Sequence, residues 1–113
     1  MNNNAKASYF AQKSLEIDPA DTRAALYCAI SAANMERTVE ALECFAQSIS
    51  DDPPKKEALV SYAAFTENNN RLEQSLKLLD TFENYYGDTV HTLVSKARIY
   101  DKLGNRDKAK EQY

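Results

Sequence analysis

Glycine and proline are nearly missing, two and three respectively in 113 residues. So few chain breakers leave room for long helices and argue against a sheet rich in tight turns. No run of branched residues resembles a buried strand, and no apolar run approaches the roughly 18–20 residues of a membrane span. The opening MNNNAKASYF lacks the basic and apolar blocks of a signal peptide. A cationic excess is also missing. Fourteen lysines and arginines face 17 acids, for a net charge of −3. That counts against general nucleic-acid binding, which needs a basic surface to displace counterions.

Reactive side chains are equally sparse. Cys28 and Cys44 are the only cysteines, no CxxC occurs, and the single histidine, His91, is far off in sequence. The two cysteines read as small apolar residues of a core; the alternatives are a redox pair or half of a metal site. His91 has no serine or cysteine nucleophile placed beside it. Asp51 and Asp52 precede two prolines, where helix termination accounts for them. No glycine-rich loop is present to cradle a phosphate. The sequence predicts a protein without catalysis, metal or cofactor. Its cysteine usage fits a reducing, cytoplasmic compartment, with a periplasmic or envelope-associated setting as the alternative.

What is present is ordinary in bulk and regular in detail. The length suits one domain with a core of its own, and 43% hydrophobic with 27% charged residues is a common balance for such a domain. The regularity appears when the chain is shifted so that Pro19 lies on Pro53. Ala7 then meets Ala41, Ser75 and Ala109; Ala29 meets Ala63 and Ala97; Pro53 in turn meets Gly87. Small residues return at two places per period and a breaker returns at a third, the mark of a repeat architecture.

Each period reads as two helices. Asp21 is a plausible N-cap. Ala25, Cys28, Ala29 and Ala32 recur at helical spacing, and a polar stretch from Asn34 to Arg37 interrupts them. Val39, Leu42, Phe45, Ala46 and Ile49 form a second stripe, which Pro53 and Pro54 end. In the next period Leu59, Tyr62, Ala63 and Thr66 line one helix, and Leu72, Leu76, Leu79 and Phe82 line the other, with the turn at Asn68–Asn70. Gly87 and Asp88 supply a stop and a fresh cap. A third period carries Leu93, Ala97 and Tyr100, then a turn at Gly104–Asn105, and reaches Tyr113 inside its second helix.

These residues resemble the tetratricopeptide repeat, a 34-residue helix–turn–helix unit. The matching positions are Ala25, Ala29, Glu36, Ala41, Phe45 and Pro53; then Leu59, Ala63, Asn70, Ser75, Leu79 and Gly87; then Leu93, Ala97, Gly104, Ala109 and Tyr113. Phe10 to Pro19 resembles the second half of an earlier unit. The resemblance implies an all-α, right-handed solenoid of antiparallel helix hairpins over residues 1–113. Its units would be a partial one with its second helix at 5–19, repeats at 22–55 and 56–89, and an incomplete repeat at 90–113. Ala29 and Ala41 would face each other where the helices of a hairpin cross. Three departures stand out: small Ala25 where a bulky residue is usual, Lys96 where leucine is common, and large Phe82 in a place usually kept small.

In such a solenoid the first helix of each unit lines a concave face. The resemblance places there Arg23, Leu26, Ile30 and Asn34 from one unit, and Tyr27 is the groove candidate among the tyrosines, a residue type enriched in binding hot spots. The next contributes Glu57, Val60, Ala64 and Glu67, and the third His91, Val94 and Arg98. It implies a groove with an apolar floor and charged margins that binds a peptide or helix of a protein partner. For Leu26 and Ile30 the alternative is that they only cover neighbouring helices. The basic clamp by which some members hold acidic chaperone tails is missing, since only Arg23 fits it. Tyr62 and Tyr100 read as core residues. Asn2–Asn4 resemble an inter-helix turn, so the chain starts and stops mid-repeat. That leads to the expectation of a segment of a longer protein, or of one that pairs with itself through an end. The second functional class is accordingly a structural, self-associating scaffold of a larger assembly, such as bacterial envelope, pilus or secretion apparatus.

Overall fold

The computed structural model describes residues 3–111, with side chains described through Asp107. Among the described residues the helices are, in order, α1 (Asn3–Ile17), α2 (Thr22–Asn34), α3 (Thr38–Ser48), α4 (Lys56–Asn68), α5 (Leu72–Tyr86) and α6 (Val90–Glu111). No strand occurs among those residues. The chain forms two compact units, Met1–Ser61 and Tyr62–Tyr113, which divide within α4.

In the first unit, the local chemistry sets each boundary. α1 ends at Ile17, ahead of Pro19. Asp21 then caps α2, its carboxylate accepting from the amides of Arg23 at 2.9 Å and Ala24 at 3.1 Å. α2 ends at a left-handed residue, Glu36, with φ of 60°. The amide of Arg37 reaches back to the carbonyl of Ala32 at 2.9 Å, and that of Glu36 to Ala33 at 3.1 Å. This is a Schellman closure, which satisfies carbonyls that the helix end leaves unpaired. α2 and α3 pack closely through small residues: Ala25, Ala29, Ala32 and Ala41 are fully buried and Phe45 is 2% exposed. The stripe that α3 buries is Ala41, Phe45 and Ser48, whereas Val39 is 70% exposed and Ala46 is also exposed. Of the expected stripe Phe45 is buried and Leu42 and Ile49 are half-buried, and Ala41 is buried with Ala29 as the crossing required.

Cys28 and Cys44 correct the sequence reading. Each lies on the α2–α3 contact, their Cα atoms are 6.0 Å apart, and they form a disulfide. The small residues at the crossing are what bring the two backbones within bridging range. The loop after α3 is tied to the start of α2: the Thr22 hydroxyl donates to Asp51 at 2.6 Å and accepts from Lys55 Nζ at 2.7 Å. Asn3 and Asn4 belong to α1 rather than to a turn, and Asn4 accepts from Asn34 Nδ2 at 3.3 Å. Asn2 lies outside the described residues.

The second unit repeats this closure one period further along. Asn70 is left-handed with φ of 59°. The amide of Arg71 bonds Thr66 at 2.8 Å, and that of Asn70 bonds Glu67 at 3.0 Å. Ser75 donates to the carbonyl of Ala63 at 2.8 Å, so α4 and α5 meet at the expected small pair. Tyr62 is buried, and its hydroxyl accepts from Gln74 at 2.9 Å. Gly87 stops α5 with φ of 84° and ψ of 173°, a conformation that only glycine adopts without strain. The cap of α6 is Thr89 and not Asp88. The amide of Thr92 donates to Thr89 Oγ1 and the amide of Thr89 to Thr92 Oγ1, both at 3.0 Å. That reciprocal pair satisfies two first-turn donors at once.

Two further expectations fail in α6. No turn forms at Gly104–Asn105: the helix runs through both to Glu111, and Gly104 is not left-handed. The stretch Asn105–Glu111 carries one apolar residue, Ala109, and so offers no face to bury by folding back. Arg106 instead pairs with Glu73 on α5. Nor is Tyr100 in the core. α6 buries Thr92, Ser95 and Ile99, while Leu93 and Tyr100 are 51% and 61% exposed and Ala97 is exposed too. Tyr113 lies outside the described residues.

The two left-handed positions give a direct test of the turn chemistry. An L-residue in that region costs roughly 1 kcal/mol, less for asparagine. Glu36→Gly should therefore stabilise by about 0.5–1 kcal/mol and Asn70→Gly by less. Urea-unfolding midpoints of the two variants against the parent chain check both the sign and the order.

Candidate functional site

The first unit holds an open cleft between α1 and α2. It encloses about 460 Å³ and is lined by Ala7, Phe10, Ala11 and Ser14 from α1, with Asp21, Arg23, Ala24 and Tyr27 from the start of α2. The spacing along α1 explains one wall. Residues 7, 11 and 14 fall on one helical face and residue 10 beside it. The wall is low because three of these side chains are small. Phe10 and Tyr27 remain 68% and 64% exposed. The Phe10 ring stands edge-on to Tyr9 at 5.2 Å, and Lys13 Nζ lies 5.6 Å from the centre of the Tyr9 ring.

One end of the cleft is ionic. The amide of Ala24 holds the Asp21 carboxyl below its usual range; burial opposes it, and the Arg23 amide and guanidinium add to the lowering. Asp21 is thus occupied by its own helix, and Arg23, its guanidinium 3.7 Å away, points a largely exposed cation at solvent. Chemically the site is an apolar surface with a charged border. It suits aliphatic or aromatic side chains that gain by leaving water, at about 25 cal/mol per Å². Among the described residues no cluster of three or more potential ligands could hold a metal ion.

The sequence-predicted residues divide by unit. Arg23 and Tyr27 line the cleft. Leu26 is 8% exposed and covers its neighbours instead. Ile30, Asn34 and Glu57 are exposed, and Val60 is half-buried. In the second unit Ala64, His91 and Val94 are exposed. Glu67 and Arg98, expected as separate groove charges, are bonded to each other. Arg98 Nε and Nη2 donate to the two Glu67 oxygens at 2.7 and 2.8 Å, and Lys102 Nζ donates to Oε2 at 2.7 Å. The Glu67 side chain is 6% exposed. The Arg98 hydrogen bonds, with those of Lys102 behind them, outweigh burial and hold its carboxyl down at about 2. This trio is an internal tie between α4 and α6.

Lys96 has a similar explanation. It turns to Asp80 and Glu83 on α5, and those bonds, Asp80 first, raise its pKa. The position that departs from the repeat pattern is thereby an ionic contact in place of an apolar one. Sequence reasoning missed the α1 wall. The signal was present in the period, since Ala7, Ala11 and Ser14 stand one repeat length before Ala41, Phe45 and Ser48.

Among the described residues, no helix is long and apolar enough to cross a membrane. Comparison with protein-family models and with curated proteins finds no match to this chain.

Proposed function

We propose that this chain is a tetratricopeptide-like helical-repeat module that binds a helix or peptide of a partner protein and carries out no reaction itself. The observation that carries this is the duplicated turn. Glu36 and Asn70, one repeat length apart, share one left-handed conformation and one hydrogen-bond pattern. In this reading the hairpins stack as a right-handed solenoid, and their first helices, with Tyr27, Ile30, Val60 and Val94 among the exposed or half-exposed residues, face the partner. The α1–α2 cleft is a concave, largely apolar surface of the first unit, where an apolar side chain would leave water. The Cys28–Cys44 bond favours an oxidising compartment over a reducing one.

A peptide-library selection against the 113-residue chain tests the reading. Recovered sequences should carry apolar residues at spacings of three and four, and bind with one-to-one stoichiometry. Tyr27→Asp together with Phe10→Asp should weaken that binding by at least about tenfold, while the circular dichroism stays that of the parent, since both side chains lie mostly in water. Binders without helical periodicity, or affinities that ignore the double substitution, would refute it.

A further inference from the structure

Two faces of this chain stand open at positions that its complete hairpins bury. α2 and α4 are first helices of a repeat, and each buries three residues on its hairpin face: Ala25, Ala29 and Ala32 in one, Leu59, Ala63 and Thr66 in the other, none more than 4% exposed. In α6 the same positions are Leu93, Ala97 and Tyr100, and all three are exposed. The second helices α3 and α5 bury Ala41, Phe45 and Ser48, or Ser75, Leu79 and Phe82. In α1 those positions are Ala7, Ala11 and Ser14, the wall of the open cleft. α6 is a first helix with its hairpin face in water, and α1 is a second helix whose hairpin face borders an open cleft.

We propose that the cleft receives α6 of a second copy, so that α6 of one molecule and α1 of the next rebuild a complete hairpin across the junction. This names the partner for the helix-binding reading above and rests on it. Three observations commit the site to this occupant. The first is the crossing: Ala97 would meet Ala7 as Ala63 meets Ser75, a small residue on each side. The second is volume. Where α2 offers Ala25, α3 answers with Phe45; across the junction Leu93 would answer Ala11, large against small in the opposite sense. The third is charge. Within the first unit Gln12 donates to Glu40 at 3.1 Å, joining successive second helices. At the junction the equivalent positions are Asp80 and Lys6, residues of opposite charge; Asp80 already accepts from Lys96 at 2.5 Å, and its side chain is still 61% exposed. The contact is head-to-tail and does not close on itself, so it propagates.

The experiment uses two variants, Ala7→Arg and Ala97→Arg, each blocking one face. Sedimentation velocity of the parent chain should show mass rising beyond a dimer with concentration. Each variant alone should associate at least about a hundredfold more weakly, because an arginine would be buried without a partner. Mixed together, the two retain one intact junction, Leu93 and Tyr100 of the first against the cleft of the second, and should form a one-to-one complex that grows no further. A parent chain that stays monomeric overturns the proposal, as does association of both variants at the parent's strength, or a mixture without a complex. A monomeric parent that still binds selected helices through Tyr27 and Phe10 would remove the second copy as partner and leave the helix-binding reading standing.

Discussion

Replacing Phe45 with alanine is expected to cost about 3–5 kcal/mol, a large share of the roughly 5–15 kcal/mol that stabilises a chain of this size. The magnitude comes from the surroundings of the ring. Phe45 is 2% exposed on a face it shares with Ala41 and Ser48, and α2 presents that face with Ala25, Ala29 and Ala32. Phe45 is the largest of these six side chains. Alanines have no rotamers with which to fill the void, and the Cys28–Cys44 bond holds α2 and α3 at their present separation. Collapse, which softens many large-to-small changes, is therefore restricted here. The equivalent change in the second unit, Leu79→Ala, should cost less, about 2–4 kcal/mol, since it removes a smaller side chain and no disulfide fixes the separation of α4 and α5. Adding Ala25→Leu to Phe45→Ala should recover part of the loss, although Ala25→Leu alone overpacks the contact by about 1–3 kcal/mol. Chemical unfolding of the parent and the four variants, at one fixed redox condition, measures the coupling. Equal costs at Phe45 and Leu79, or additivity of the pair, would contradict the account of the contact.

The features legible in the sequence are those that a residue enforces on its own neighbourhood. Asp21 caps because a short carboxylate after a proline turn finds two free amides, and nothing distant alters that. Pro19 and Gly87 stand just beyond the ends of α1 and α5 for equally local reasons, whereas α3 stops at Ser48, ahead of the expected stop at Pro53. The period located the small pair Ala63 and Ser75, because alanine and serine at a fixed spacing mean close backbones wherever the hairpin forms. The features that stayed hidden depend on which surface arrives opposite. Gly104 stands in register with the turns at Glu36 and Asn70, yet α6 continues, because the residues beyond it have no apolar side to bury. Tyr100 occupies a core position of the repeat and lies 61% exposed. Periodicity marks a face as buryable and does not say what buries it. The candidate site shows the same limit. Arg23 and Tyr27 were singled out from the sequence and do line the cleft, whereas the other wall comes from α1, whose small residues carry no chemical signature of a site. Glu67 and Arg98 were expected as groove charges and are bonded to each other, because bidentate pairing depends on side-chain geometry between helices that no sequence spacing specifies.

Acidification should destabilise the second unit through Glu67. Its carboxyl lies at about 2 in the folded chain against an ordinary 4.5. A group so depressed binds its proton more readily when unfolded, so its contribution is complete above roughly pH 5 and drains away as the pH falls toward 2. The size is on the order of 2–3 kcal/mol, and solvent limits it from one side. The Arg98 and Lys102 side chains remain 49% and 43% exposed. They lose little by returning to water, and the penalty concentrates on the carboxylate. Glu67→Gln keeps the shape and removes the titration. Its stability at neutral pH should fall by most of that amount, and between about pH 5 and pH 2 its slope should be shallower than the parent's. Some slope persists, because Lys96, with Thr92 behind it, also holds the Glu83 carboxyl below its usual range. Glu83→Gln in the same background should flatten the profile further. Salt separates the two sources of the effect: the half-exposed cations are screened at high ionic strength, while the two short Arg98 hydrogen bonds persist. Unfolding free energies from urea titrations across that pH range, at low and high salt, give the slopes directly. An unchanged slope in Glu67→Gln would show that this carboxylate is protonated no more easily in the unfolded chain than in the folded one, and the tie between α4 and α6 would then contribute nothing to acid stability.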